Sequence, residues 1–410
     1  MSQKEVDALD KTTVVKDPNS PTGYSVAFRY KDPDATRVRL SGQWLFSDKP
    51  HSSLATSLNA TPEEWKNGYF VHRHGNWPTV DMTLDEETGV WAHTIPLPNG
   101  TWVYTFYVGG VENAELTDRT DSEQVWDPTN PPLLYDYEAT DMPPNERRSD
   151  VYVFYDAEKQ SLSDNVSEEA PRNGQNGAAF FAKVNATHGK EAVFGIYLPY
   201  EHDVSREDPY PILVLMHGAY EVESTWFNQG ALIRILDNMI AQGRVEPMIV
   251  VTPNGTDTDW NLPQLLSNIM NGILPYMEAN YHVATDPSRR AFGGLSSGGS
   301  TTMYTLFNHT QEFDYYLPMS AFITKNYEPN YEADGIKDVK ICFGYGWYDL
   351  VFSKCLESQE ASVMSSLLHD IFIDLAEAEV PFTNHAVYGG HTWTTWRQNM
   401  VYMLENVLWK

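Results

Sequence analysis

Gly294-Leu295-Ser296-Ser297-Gly298-Gly299 has the G-x-S-x-G pattern of a nucleophile elbow, in which a strand turns abruptly into a helix and presents a serine hydroxyl. Ser296, with glycine at both flanking offsets, is the candidate nucleophile, and Ser297 is its neighbour. A serine hydroxyl reacts only when a histidine takes its proton, and that histidine needs a carboxylate to fix its tautomer. In folds built on this elbow the chain order is serine, acid, histidine, so both partners should lie downstream. His309, His369, His385 and His391 follow Ser296. His391, in Gly389-Gly390-His391-Thr392-Trp393, sits past a strand-like segment and before the last helical one, where a loop can carry it over the elbow. His309 and His369 fall in helical stretches and His385 opens a strand, so these read as packed or surface histidines. The acid should end the strand after the elbow helix. Lys340–Tyr345 is such a strand, and Asp349 closes it through Gly346-Trp347-Tyr348; Glu357 and Glu360 lie where a helix begins and read as solvated.

Acyl transfer also needs two N–H donors for the tetrahedral oxyanion. One should be the backbone N–H of Ser297, the residue after the nucleophile. The other should come from the loop after Pro211–Met216, at Ala219 or Tyr220; His217 in that loop reads as structural. Trp226, Trp260 and Trp393 are candidates for holding an aryl group or a sugar. His72-x-His74 has metal-ligand character but no evident third ligand, so no metal is expected. No dinucleotide fingerprint or phosphate-cradling loop is present, and no cofactor is expected.

Two grammars position these residues. From Pro21 onward Tyr24, Val26, Phe28 and Tyr30 alternate, as do Trp102, Tyr104, Phe106 and Val108, between Gly/Pro/Asn turns. Short alternating strands without amphipathic helices predict an all-β sandwich over 21–138, with 46–80 as an excursion, a loose segment at 1–20 and a linker at 139–179. From about residue 180 strands and helices alternate. Val193–Leu198, Pro211–Met216 and Pro247–Val251 read as strands, the latter two as continuous apolar runs. Ala231–Ala241, Leu262–Asn280 (bent at Pro275), 357–378 and 394–409 read as helices. This predicts an α/β domain over 180–410 with a mostly parallel sheet.

The chain has 410 residues, ample for two domains with buried cores. Its 28 Lys+Arg against 56 Asp+Glu give a net charge of -28, which disfavours nucleic acid and anionic membrane surfaces as partners. No apolar stretch approaches a membrane span of about 18 residues. The only cysteines, Cys342 and Cys355, form one late bridge or remain free thiols. Met1–Thr13 is charged and polar without an apolar signal core. We expect a secreted protein whose leader has been removed, with a cytoplasmic one as the alternative.

His217-Gly218, Trp226, Arg290–Gly299 with its Gly294-Leu295-Ser296-Ser297-Gly298 core, and Gly389-Gly390-His391-Thr392-Trp393 followed by Trp396-Arg397 resemble the esterase-D-like α/β-hydrolases. That group includes feruloyl and acetyl-xylan esterases of carbohydrate esterase family one, enterochelin esterases and S-formylglutathione hydrolase. This chain has Ala219-Tyr220-Glu221 where the group tends to have a Gly-rich loop. Val38–Trp44, Leu97–Tyr104 and Asp127–Pro131 resemble the early-set immunoglobulin-like domains, related to glycogen-binding modules, that precede such esterases. The resemblance implies an α/β-hydrolase after an immunoglobulin-like sandwich. It also implies a serine esterase removing feruloyl or acetyl groups from plant cell-wall xylan, with acylated xylan or its oligosaccharides as the partner. A siderophore esterase is the second reading, and a glycan-binding protein with an inert hydrolase fold the third.

Overall fold

The computed structural model describes residues 5–6, 8–48, 60–71, 77–111, 118–135, 147–185, 191–322, 329–349 and 367–410. The chain forms two compact units, Met1–Pro171 and Arg172–Lys410.

Among the described residues of the first unit every strand pairing is antiparallel. One sheet orders Thr13–Lys16, Tyr24–Lys31, Val90–Pro96 and Thr83–Asp85, and the other Ser122–Val125, Gly100–Gly109, Val38–Gly42 and Thr79–Asp81. Val26 and Phe28 of the first sheet share one buried cluster with Leu40, Trp102, Tyr104 and Phe106 of the second. Alternation put those side chains on one face of each strand, and burying both faces together is what makes a two-sheet unit stable. Several segments depart from the sequence reading. At the end of 46–80, read as an excursion, Thr79–Asp81 joins the second sheet against Val38–Gly42, and within it Phe46–Ser47 pairs with Phe70–Val71. Residues 13–16, expected to be loose, form a strand because Val15 is buried on pairing with Tyr24–Lys31. Ser149–Val153, expected in a linker, pairs with Gly100–Gly109, and Val153 joins the core.

The second unit carries strands β1 (Ala178–Asn185), β2 (Glu191–Leu198), β3 (Ile212–Met216), β4 (Ile249–Pro253), β5 (Arg290–Leu295), β6 (Tyr315–Met319), β7 (Lys340–Gly346) and β8 (Thr383–Val387). Its helices are α1 (Leu232–Ala241), α2 (Leu262–Asn268), α3 (Leu274–Tyr281), α4 (Ser297–Asn308), α5 (Leu367–Glu377) and α6 (Trp393–Asn406). The strands form one sheet in the order β1-β2-β4-β3-β5-β6-β7-β8. β1 and β2 run antiparallel to their neighbours, and β4 through β8 are parallel. Parallel strands are buried on both faces, which is why β3 reads as an unbroken apolar run. Ile212, Val214 and Met216 face α2–α5 and one core, while Leu213 and Leu215 face α1, α6 and the other. This is the α/β-hydrolase arrangement. The helix expected over 262–280 is interrupted by a wider turn, Ile269–Ile273, before α3. Pro275 has no N–H to give to the carbonyl one turn earlier and its ring crowds that carbonyl, so the backbone widens there.

Candidate active site

The site lies at the carboxyl ends of the parallel strands, where connecting loops from β3, β5, β6, β7 and β8 can converge. Ser296 follows β5 directly. Its backbone has φ 52° and ψ −115°, a conformation that costs a non-glycine residue about 1–3 kcal/mol and persists only when its surroundings hold it. Those surroundings are visible. The Ser296 N–H donates to the Met319 carbonyl at 2.9 Å, and its own carbonyl accepts the Ser300 N–H at 2.9 Å. A Cβ at Gly298 would come within 2.4 Å of the His217 carbonyl oxygen, and one at Gly294 within 2.6 Å of Gly298. The elbow glycines are therefore required by packing against β3 and α4.

His391 brings Nε2 to 3.1 Å from Ser296 Oγ, and its Nδ1 stands 3.0 Å from each carboxylate oxygen of Asp349. With Nδ1–H donating to the carboxylate, Nε2 is left as an acceptor for the serine proton. Asp349 is fully buried, and the turn carrying it is pinned by Tyr348 N–H to the Gly389 carbonyl and by its own N–H to the Gly346 carbonyl. A Cβ at Gly346 would collide with Gly389, so the loop bearing the acid and the loop bearing the base touch directly. Asp349 Oδ2 also accepts a 2.5 Å hydrogen bond from Ser320, just past β6, and the Trp396 indole N–H donates to Ser320 Oγ at 2.8 Å. The Trp396 ring meets the His391 imidazole edge to face at 4.9 Å. Sequence reasoning missed Ser320, which follows a strand with no motif around it; its position at the carboxyl end of a parallel strand is the one available signal.

Ser297 opens α4, so its N–H lies among the first helical donors that have no partner within the helix. The β3 loop passes beside the nucleophile, since a Cβ added at Gly218 would be 3.5 Å from that of Ser296. The Gly218 N–H is committed to Glu221 Oε2 at 2.8 Å. Ala219 and Tyr220 are exposed, and Tyr220 has φ 63°, which turns the peptide around it. His217 is wholly buried: Nδ1–H donates to the Gly218 carbonyl and Nε2 accepts the Gly255 N–H. Burial lowers its pKa to about 4, so it stays neutral and structural. Of the other histidines, His385 stacks on Tyr402 and bonds Asn399, His309 ends α4, and His369 lies in α5.

Trp226 and Trp393, expected to face a ligand, are instead core residues at 0% and 1% exposure. Their indole N–H groups are taken by the Met216 carbonyl and by Glu221 Oε1, and Trp226, Trp393 and Trp396 form an edge-to-face row ending at His391. An indole buried on every side has no face left to give a ligand. Trp260 is half-buried, lying against Gly255 and edge-on to His217. Among the described residues, the exposed aromatics on the site loops are Tyr220, Trp347 and Tyr388, at 83%, 59% and 50% exposure. Among the described residues no group of three His, Cys, Asp or Glu side chains converges as a metal site, and no helix is long and apolar enough to cross a membrane. His72, His74, Cys355, Glu357 and Glu360 lie outside the described residues; Cys342 is buried.

Strand order, elbow and hydrogen-bonded Ser-His-Asp series together define an α/β-hydrolase. Residues 185–407 match the Esterase family, described as "Putative esterase", and the chain belongs to that family. It is 30% identical over 186 residues to endo-1,4-beta-xylanase Y of Acetivibrio thermocellus, covering 43% of this chain and 17% of the relative. It is 29% identical over 163 residues to an endo-1,4-beta-xylanase/feruloyl esterase of Xylanibacter ruminicola, covering 37% and 22%. The matched part is thus about a fifth of those relatives' length. Among solved structures, the enterobactin esterase FES from Shigella flexneri aligns over 100% of this chain and 98% of its own at 14% identity, with a TM-score of 0.57.

Proposed function

We propose that this protein is a serine esterase that removes feruloyl or acetyl groups from plant cell-wall xylan through an acyl-enzyme. The carrying observation is the 3.1 Å approach of His391 Nε2 to Ser296 Oγ, with Asp349 behind the imidazole. In this mechanism Ser296 Oγ attacks the ester carbonyl and its proton passes to His391 Nε2. The imidazolium is stabilised by Asp349, while the oxyanion is met by the Ser297 N–H and one donor at Ala219 or Tyr220. The carbonyl–oxygen bond to the sugar breaks as His391 returns the proton to the leaving alcohol. Water then attacks the acyl-serine, its proton goes to His391, and the free acid departs as Ser296 Oγ regains a proton.

The substrate half is supported by the two xylanase relatives, one of which is also named a feruloyl esterase. Exposed Tyr220, Trp347 and Tyr388 suit an aryl acyl group, because aromatic faces stack well on one another. The xylose backbone and its acyl esters carry no charge, so a chain of charge -28 does not repel them. The immunoglobulin-like character of the first unit, and secretion, belong to the same proposal. A second reading, a siderophore esterase, is favoured by the full-length fold match to the enterobactin esterase. The two are separated by incubating the protein with feruloylated and acetylated xylo-oligosaccharides and with a catecholate trilactone, and assaying the released acids by chromatography. Release of ferulate or acetate is expected; turnover of the trilactone alone would replace the first reading with the second.

A further inference from the structure

We infer that Ser320 is a positioning residue of the relay, holding the Asp349 carboxylate so that it orients His391, with Trp396 fixing the direction of the Ser320 hydroxyl. The inference rests on the Ser296–His391–Asp349 mechanism proposed above and adds a residue that the elbow pattern does not contain.

Donor and acceptor roles follow from the groups themselves. An indole N–H can only donate, so the 2.8 Å contact from Trp396 Nε1 makes Ser320 Oγ an acceptor there. An ionised carboxylate can only accept, so the 2.5 Å contact to Asp349 Oδ2 must carry the Ser320 proton. The hydroxyl is therefore fixed between one obligate donor and one obligate acceptor, and it has one orientation. His391 Nδ1 is equidistant, at 3.0 Å, from both carboxylate oxygens. Ser320 anchors one of those oxygens from behind and so restrains the rotation of the carboxylate about its own axis. Ser320 and Asp349 are both at 0% exposure, where a charge-assisted hydrogen bond is strong and a lost one is not replaced by water.

The backbone gives a second, independent sign. Ser320 has φ 45°, in the left-handed region where glycine is at ease and other residues are strained, and its N–H is held by the Gly344 carbonyl at 2.8 Å. A side chain at such a position is a local cost, and what it brings here is the hydroxyl on Asp349. Trp396 acts at both ends, since the ring that orients Ser320 also packs edge to face on the His391 imidazole. The titratable groups on this chain of contacts are Asp349 and His391, with Glu221 reached through the neighbouring Trp393.

The test compares wild type with Ser320→Ala and Ser320→Gly on p-nitrophenyl acetate across pH, with Ser296→Ala as control and thermal unfolding on each protein. Without the hydroxyl the carboxylate turns more freely and concentrates its charge on His391. For both variants kcat should fall roughly 10-fold with KM unchanged, and the acid limb of kcat/KM should move upward by about half a pH unit. Ser320→Gly should unfold at or above the temperature of Ser320→Ala, because it relaxes the strained backbone, yet show the same kinetic defect. Wild-type kinetics in both variants, recovery of wild-type activity in Ser320→Gly alone, or a changed KM with an unmoved pH profile would each overturn the inference. If Ser296→Ala retains full activity, the relay itself fails, which is a different outcome from a silent Ser320.

Discussion

Glu221 accepts the indole N–H of Trp393 at 3.1 Å through one carboxylate oxygen and the Gly218 N–H at 2.8 Å through the other. One buried carboxylate thus ties the loop after β3, which should supply an oxyanion donor, to the first residue of the helix that follows His391. The sequence stands at Ala219-Tyr220-Glu221 where a Gly-rich loop was expected, and the clamp shows how a loop with fewer glycines is held. Glu221→Ala would leave two buried donors without this acceptor, at about 1–3 kcal/mol each. We expect a clear drop in unfolding temperature and a fall in kcat for any ester. Unchanged stability and turnover would show the clamp to be idle.

Gly298→Ala is expected to be the most damaging small substitution in the elbow. Its Cβ would fall 2.4 and 2.6 Å from the carbonyl oxygens of His217 and Met216, which are backbone atoms and cannot rotate aside. Either α4 or β3 must shift, at a cost above roughly 3 kcal/mol, and Ser296 would move with α4. Chemical denaturation should report the loss, and a variant of wild-type stability would mean that the elbow is less tightly packed than described.

His217 makes stability depend on pH. Burial lowers its pKa from 6.5 to about 4, so between those values the unfolded chain holds a proton that the folded one does not. Stability from this group is complete above pH 6.5, declines as pH falls, and is lost by about pH 4, for a total of about 3 kcal/mol. His217→Gln should be less stable at neutral pH but show a shallower decline through that window. Parallel stability curves for the two proteins would contradict the assignment.

Trp347 and Tyr388 flank the acid and the base on the site loops and are exposed. If they receive the aryl group, Trp347→Ala should raise KM for a feruloyl ester by about 10-fold while changing KM for an acetyl ester less than about twofold. Equal effects on both esters would remove the aryl preference from the proposal.

The elbow and Asp349 were legible because each follows a strand whose apolar residues are readable, and because glycine placement around Ser296 obeys a steric rule. His391 was legible because Gly389-Gly390 sets it between a strand and the last helix. The alternation of strand and helix from about residue 180 likewise announced the parallel sheet. What the sequence hid depends on contacts between distant segments. Strand β1 is only half-buried along its length, so Ala178–Asn185 lacks the pattern of a core strand. Trp226 and Trp393 look like ligand-facing aromatics until their N–H partners, Met216 and Glu221, are known. Ser320 carries no motif, only its place at the end of a strand, because its partners Asp349 and Trp396 are 29 and 76 positions away.

The central claim is that Ser296 is the nucleophile of one hydrogen-bonded series with His391 and Asp349. Its most direct test is the steady-state hydrolysis of p-nitrophenyl acetate by wild type, Ser296→Ala and Asp349→Asn, each checked for wild-type unfolding temperature. The account predicts losses in kcat of at least about 10³-fold for both variants, since one removes the nucleophile and the other reverses the imidazole tautomer. Folded Ser296→Ala protein that hydrolyses the ester at the wild-type rate would contradict it.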